Sequence, residues 1–451
     1  MADSPGASLR RVGLFTAGCV LVSNAVGSGI FTTSGFLARD LGEPAVMLLL
    51  WGIGGALALA GAMSYSELGA ALPRVGGEYV YLRRAYGPLW GFLSGWTSFT
   101  IGFGAAIAAA AMGFAHYAVE LLPVSGIASS PTWIALALVW LLTGIHSLGV
   151  EQGGRFQRAI TIAKIGGVAL LVAAGLALGN GSWSHLSRGA PGIEPSLGSS
   201  AVGLVFVLYS FSGWNAAGYI AGEVRDPGRN LPLAMVGGTL FVTALYLLVN
   251  VFYLYALPAS ALAAEPVLPV AEKAAAALFG PGAARVVVAV LCLSIAGATS
   301  SMIWTGPRVY WAMAQDGVAP AGLARTSDAN APVLAILLQS GWVSLLLLSG
   351  TFEQLVVFSG VALALFSALA VSSLIALRLR EPDLPRPYRV ALYPWVPLAY
   401  VAASLWIATF ATLERPIESG LSIVTVLAGV PIYFLWSRRR GRQAGAARSR
   451  S

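Results

Sequence analysis

Gly27-Ser28-Gly29 interrupts an apolar run that extends from about Val12 to Leu37, and Ser212-Gly213-Trp214-Asn215 interrupts a second from about Ser200 to Ala221. Each run is long enough to cross a bilayer. Each carries glycine and small polar residues near its middle, where lipid penalises exposed backbone. Breaks at corresponding places in two halves of a chain predict a transporter site near the bilayer midplane, since unwound helix is tolerated where it lines a cavity.

Composition agrees. The 451 residues are 57% hydrophobic and 10% charged, whereas a soluble domain carries roughly a quarter charged residues. A soluble enzyme is excluded, and a polytopic all-α integral membrane protein is predicted. Twelve segments suit a span, near 12–38, 45–71, 89–118, 132–149, 157–179, 200–222, 233–257, 284–314, 332–350, 354–379, 394–413 and 419–437. With both termini cytoplasmic, 21 of the 27 lysines and arginines fall on the inner side, from Arg10 and Arg11 to the cluster between Arg438 and Arg450. The outer side holds only Arg39, Arg188, Lys273, Arg285 and Arg415. This asymmetry predicts an N-in, C-in topology in a plasma membrane. The net charge of +8 is therefore a topology signal, and nucleic acid is not an expected partner. The first span follows Arg10 and Arg11 with no small-x-small cleavage site, so it is expected to be retained. The tail after Trp436 reads as basic, without regular structure and suited to anionic lipid.

Cys19 and Cys292 both lie in apolar segments and read as core residues rather than a disulfide. His116, His146 and His185 are scattered, so no metal site or cofactor is expected.

The chemistry lies in the breaks. A half-helix starting after Gly29 aims free N–H groups and a positive dipole end at the cavity, which suits a carboxylate. One ending before Gly27 offers free carbonyls, which suit an ammonium. Together they fit an α-amino acid zwitterion. A lone Gly-Ser-Gly serves helix packing equally well; the second break favours the site.

Gly27-Ser28-Gly29-Ile30-Phe31 resembles the GSGIF motif of the amino acid–polyamine–organocation (APC) superfamily. Phe211-Ser212-Gly213-Trp214-Asn215, followed by Glu223-Val224-Arg225-Asp226-Pro227-Gly228-Arg229-Asn230-Leu231-Pro232, resembles its sixth-span pattern. Tyr65-Ser66-Glu67-Leu68-Gly69 and Pro73-Arg74-Val75-Gly76-Gly77-Glu78-Tyr79 resemble its second-span signature. The likeness covers nearly the whole chain and is nearest to the L-type (LAT-like) amino acid transporters. It implies the LeuT fold: inverted five-helix repeats over 12–179 and 200–379, two trailing helices over 394–437, and a basic tail over 438–451. It also implies roles. Backbone N–H groups at Ser28 and Gly29 take the carboxylate, and carbonyls at Ala25, Tyr209 and Ser212 take the ammonium. Tyr209 matches a gating aromatic and Asn215 a pocket polar residue; Val26, Ile30, Phe211 and Trp214 complete the substrate-binding set. Human members of the branch often carry Phe where Tyr209 stands, which changes the polarity of the pocket. Heavy-chain-linked relatives use a cysteine between spans 3 and 4; the stretch from Val119 to Thr132 has none, so no disulfide-linked subunit is expected.

Lys164, one of only two lysines, falls inside span 5. A charge at that depth is functional unless it snorkels. Its expected partners are span 1 carbonyls and span 8 hydroxyls among Ser294, Thr299, Ser300 and Ser301. Relatives with a lysine here resemble sodium-driven members in which the ammonium replaces bound sodium, which argues against sodium coupling. Desolvation disfavours a charged form, so Lys164 permits either exchange around a fixed charge or proton-coupled symport.

Other residues are weighed against plainer roles. Glu67 is expected to pair with a loop arginine or cap a helix. Glu223, Arg225 and Asp226 form either an inner gate or a solvated turn. Trp96, Thr97 and Phe99 are pocket candidates, though span aromatics are more often packing. His116 and Glu120 suit an interfacial pair. The stretch from Gly76 to Tyr86 reads as an amphipathic helix on the inner surface, with an inner-gating role implied by the resemblance.

The expected function is exchange of neutral L-amino acids by sodium-independent alternating access, since no buried acid awaits a cationic side chain. Proton-coupled symport is the alternative. A membrane-embedded enzyme would need paired carboxylates or a metal cluster within the spans, and a channel would need a filter-like repeat; neither pattern occurs.

Overall fold

The computed structural model describes residues 12–119, 121, 130–267, 270–329, 331–350 and 352–448. Arg10, Arg11, Glu120 and most of the loop from Val119 to Thr132 therefore lie outside the described residues. The regular structure among them is helical, apart from a single parallel bridge between Val12 and Val224.

The two breaks organise the bundle. α1 (Leu14–Ala25) stops and α2 (Ser28–Leu41) begins two residues later. Val26 (ψ 84°) and Gly27 (φ −129°, ψ −147°) form the gap, so Ser28 and Gly29 belong to the first turn of α2. After α3 (Pro44–Ala71) come α4 (Glu78–Tyr86), α5 (Pro88–Thr97) and α6 (Gly104–Ala118). A π-helical turn over Ser98–Phe103 joins α5 to α6. α7 (Pro131–Ser147) and α8 (Val150–Leu178) complete the first half.

α9 (Leu197–Phe211) ends at the second break. Ser212 turns to ψ 132° and Gly213 adopts φ +105°, a left-handed region that glycine enters without penalty. The chain beyond does not resume a full span: α10 (Ala216–Tyr219) is four residues long. Then follow α11 (Pro227–Ala256), α12 (Ala259–Ala263), α13 (Val270–Phe279), α14 (Pro281–Thr305), α15 (Pro307–Gln315), α16 (Val333–Leu347), α17 (Phe352–Arg380), α18 (Trp395–Glu414) and α19 (Pro416–Arg448). Proline opens many of these helices, at the position where its missing N–H costs nothing.

Nine helical stretches among the described residues are long and apolar enough to cross a membrane, and α7, α9 and α16 are shorter apolar helices where three further spans are expected. The tail expected to lack regular structure is instead helical as far as Arg448. Arg, Gln and Ala are good helix formers, and they extend a helix already nucleated in α19.

Ion pairs fasten both ends of the bundle. On the side where the chain starts, Val12 N donates to Glu223 O (2.9 Å) and Arg225 N donates to Val12 O (2.8 Å), stitching the first span to the segment after the second break. Arg308, from α15, holds Glu223 at 2.9 Å. Glu67 is 2% exposed and takes Arg378 at 2.6 Å, Arg386 at 3.5 Å and the Val390 amide at 2.7 Å, so it pairs with arginines and holds the loop before α18 rather than capping a helix. On the opposite side Glu353 bridges Arg39 (3.2 Å) and Arg415 (2.8 Å).

α4 does not lie on the surface as its sequence suggests. Tyr79, Val80, Tyr81 and Leu82 are all buried, because four consecutive apolar residues encircle a helix rather than forming one face. Only Arg83 and Arg84 reach out, to Asp316 and to Glu381 (2.8 Å). Burial favours the neutral form of Asp316, but the Tyr79 hydroxyl and the Arg83 and Arg74 guanidinium groups outweigh it and hold the carboxyl below its usual range.

Candidate functional site

At the C-terminal end of α1 the free carbonyls are claimed from two directions. Lys164 Nζ, fully buried, donates to Ser23 O (2.8 Å) and Val26 O (2.7 Å). The Tyr246 hydroxyl lies 2.6 Å from Ala25 O and 2.7 Å from Ser210 O, so it links the two broken spans. Leaving an ammonium unpaired in such a place costs several kcal/mol; the two carbonyls at the helix end offset that cost.

α2 begins without a side-chain cap, so its first N–H groups, at Ser28, Gly29 and Ile30, have no helical acceptor. Gly29 sits against Ser210 so closely that a Cβ would stand 2.5 Å from the Ser210 Cα. The Ser28 hydroxyl lies 3.0 Å from the Tyr209 hydroxyl, and Thr33 Oγ1 lies 2.9 Å from Ser210 Oγ. The first turn of α2 is thus fitted to the last turn of α9.

A cavity with about 1030 Å³ of empty space, part of it open, lies beside this junction. Tyr209, Ser212, Trp214 and Asn215 line it, joined by Asn24, Thr97, Ser98, Tyr219, Glu78 and Tyr400. The other candidates stand behind that wall. Ala25, Val26, Ser28, Gly29, Ile30 and Phe211 are buried and do not line the cavity. Phe211 packs against Trp51 and Tyr246. Tyr209 is the connection: it lines the cavity, and its hydroxyl meets Ser28 in the first turn of α2.

Of the span 8 hydroxyls expected around Lys164, Thr299, Ser300 and Ser301 bond elsewhere, and Ser294 makes no bond to the lysine. Ser300 Oγ donates to Gln157 Oε1 (3.1 Å) and lies 2.7 Å from His146 Nε2. Ser301 Oγ receives the Asn24 amide, whose Nδ2 also donates to Val20 O at 3.0 Å. Gln157 Nε2 donates to Ser23 Oγ. Span 8 thus meets span 1 through Asn24 and Gln157 rather than through the lysine, because the Lys164 amine already faces the two carbonyls.

Of the span 3 candidates, Thr97 lines the cavity. Trp96 turns away to donate to Thr425 O (2.7 Å), and Phe99 packs on Tyr310 and Trp342. The π-helical turn is the feature sequence reading missed: it swings Ser98, Gly102 and Phe103 to the cavity, as single π turns often do at functional sites.

Glu78 was also missed, and it corrects the expectation that no buried acid faces the site. Its side chain is 4% exposed, it lines the cavity, and its Oε1 accepts from Tyr65 OH (2.8 Å) and Asn215 Nδ2 (3.0 Å). Burial pushes its carboxyl above the usual range, although hydrogen bonds from Tyr65, Asn215 and Tyr219 oppose that. The signal for it was Gly76-Gly77. Both glycines take positive φ, 124° and 54°, and a Cβ on Gly77 would stand 2.5 Å from the Tyr219 ring.

No cluster of His, Cys, Asp or Glu that could hold a metal occurs among the described residues. Two broken spans, a buried lysine and a cavity at the second break, in a chain with many helices long and apolar enough to cross a membrane, are features of a multi-pass membrane transporter. Residues 12–434 match the amino acid permease family, and the chain belongs to that family, within the APC superfamily. It is 29% identical over 441 residues to a serine/threonine exchanger of Bacillus subtilis, covering 96% of this chain and 98% of the relative. It is 28% identical over 446 residues to the human large neutral amino acids transporter small subunit 2, covering 95% and 81%. To the human Asc-type amino acid transporter 1 it is 29% identical over 449 residues, covering 96% and 84%.

Proposed function

We propose that this protein exchanges neutral L-amino acids across the cytoplasmic membrane by sodium-independent alternating access. The observation that carries this reading is the Lys164 ammonium on the Ser23 and Val26 carbonyls. The tethered lysine amine stands where a mobile cation would otherwise complete the helix end, which supports sodium independence. The relatives named as an exchanger and as amino acid transporters support the substrate class and the exchange mode. The substrate carboxylate meets the N–H groups at Ser28 and Gly29 and the ammonium meets the carbonyls at Tyr209 and Ser212, once Tyr209 releases Ser28. Glu78 is compatible with a neutral side chain because its carboxylate is occupied by Tyr65 and Asn215.

The architecture that goes with this reading is two inverted five-helix repeats over 12–179 and 200–379, two trailing helices over 394–437 and a basic tail, with both termini cytoplasmic. The tail faces anionic lipid, and no disulfide-linked subunit takes part. Proton-coupled symport is the second reading, favoured by the buried Glu78 carboxyl in the cavity wall.

Uptake of a labelled amino acid panel into proteoliposomes tests both. Exchange requires internal amino acid and is indifferent to sodium. Uptake into empty vesicles driven by an acidic exterior selects symport, and strict sodium dependence overturns both readings.

A further inference from the structure

Asn215 Nδ2 donates to Glu78 Oε1 (3.0 Å) and to the Tyr219 hydroxyl (3.2 Å). Both amide hydrogens are therefore taken up by Glu78 and Tyr219, which line the cavity together with Asn215 and leave Oδ1 as the amide's remaining polar atom. A carboxylate only accepts hydrogen bonds. Turning the amide over would set its oxygen against Glu78 Oε1, which already holds the Tyr65 hydroxyl at 2.8 Å. We propose that Glu78 is a positioning residue for substrate recognition: it locks the Asn215 amide so that Oδ1 is presented to the cavity as an acceptor for an amino acid N–H or O–H. The inference rests on the exchange reading above.

The fold commits to this arrangement from the loop side. Gly76 N donates to Tyr219 O (3.0 Å), and the absence of a side chain on Gly77 lets the Tyr219 ring close over the start of α4. Glu78 thus reaches the second break from a helix outside the spans. Four phenols face it: Tyr65 from α3, Tyr81 from α4, Tyr219 from α10 and Tyr400 from α18. Among the described residues no ion pair to an arginine or lysine holds it, so its strongest obligation is to Asn215 and Tyr65.

The test is exchange by the full-length chain in proteoliposomes, with labelled L-serine, L-alanine and L-leucine, continuing with whichever the wild type exchanges fastest. Glu78→Gln, whose amide accepts either orientation of Asn215, is expected to raise KM about tenfold, the weight of one charge-assisted hydrogen bond, with the maximal rate within about twofold. Asn215→Ala is expected to do the same, and the double variant no more than Asn215→Ala alone. Glu78→Gln with Asn215→Asp restores an amide–carboxylate pair with its polarity reversed and an oxygen still on the cavity; KM is expected to return to within about threefold of wild type. An unchanged KM in Glu78→Gln, a loss confined to the maximal rate, or a full additive effect on Asn215→Ala overturns the proposal. Where a variant does not reconstitute, the dissociation constant from substrate-induced thermal shift in detergent makes the same comparison. A wild type that exchanges none of the three removes the exchange reading itself, whereas an exchanging wild type with an indifferent Glu78→Gln removes only this inference.

Discussion

Lys164 Nζ lies 2.7 Å from the carbonyl of Val26, the residue that ends the first half-helix. A side chain from one span thereby closes the exposed end of another. Removing it leaves the Val26 and Ser23 carbonyls buried and unpaired, which costs about 1–3 kcal/mol for each group. Lys164→Ala is expected to reduce exchange at least about tenfold, or to make it depend on an added cation. Initial rates in sodium and in choline buffers check this, and unchanged kinetics in both would show that the ammonium is scaffold only.

Gly29 and Gly213 hold the two breaks in contact. A Cβ at Gly29 would stand 2.5 Å from the Ser210 Cα, and one at Gly213 2.4 Å from the Asn24 Cβ, at φ +105°. Alanine at either position is expected to destabilise the protein by about 1–3 kcal/mol, as overpacking does, and to abolish exchange. Gly18, in α1, has nothing within 4 Å, so Gly18→Ala leaves both properties intact. Melting temperature and exchange rate measured on the three variants decide the matter; Gly29→Ala behaving like Gly18→Ala would refute the fit.

The Arg308–Glu223 pair ties α15 to the segment after the second break, with side chains 6% and 24% exposed. Its guanidinium also stacks 4.4 Å from the Trp304 ring. Arg308→Gln leaves Glu223 without that partner and is expected to lower the melting temperature by a few degrees. If the pair latches this face, a cysteine-reactive probe reaching Ser212→Cys from the side that carries the chain start reacts faster in Arg308→Gln than in the same construction with Arg308 intact. Equal labelling rates would leave the pair a structural tie.

Glu78 gives a pH prediction with a definite sign. Burial raises its carboxyl above the usual range, so on acidification it takes up a proton before an exposed glutamate does. The protonated form no longer obliges Asn215 to present its nitrogen. KM is therefore expected to rise as pH falls from neutral, and Glu78→Gln to flatten that profile. Folding raises this pKa, so the folded state takes up the proton more readily than the unfolded chain, and acidification through it does not itself unfold the protein. A wild-type KM independent of pH between neutral and the ordinary carboxylate range counts against the coupling.

Much of this was legible from local pattern. Apolar length gave the spans, because every span must satisfy its own backbone in lipid. Gly27 and Gly213 marked the breaks, because few other residues tolerate the conformations and close approaches found there. Lys164 stood out because charge within a span is rare. Trp96 and Phe99 pack as span aromatics more often do, but the sequence carries no label for which neighbour each faces. α4 misled because Arg83 and Arg84, which suggested a surface helix, are its only outward residues.

What the sequence determined by itself is the helical membrane fold, the two interruptions and the depth of Lys164 within its span, since these follow from hydrophobic length and backbone sterics along the chain. What only the tertiary structure decided is who meets whom: Lys164 with Ser23 and Val26, Tyr246 across both breaks, and Glu78 with Asn215. Those partners are separated by as many as 221 residues, and a hydrogen bond depends on position and direction to a fraction of an ångström, which no periodicity along a single segment encodes.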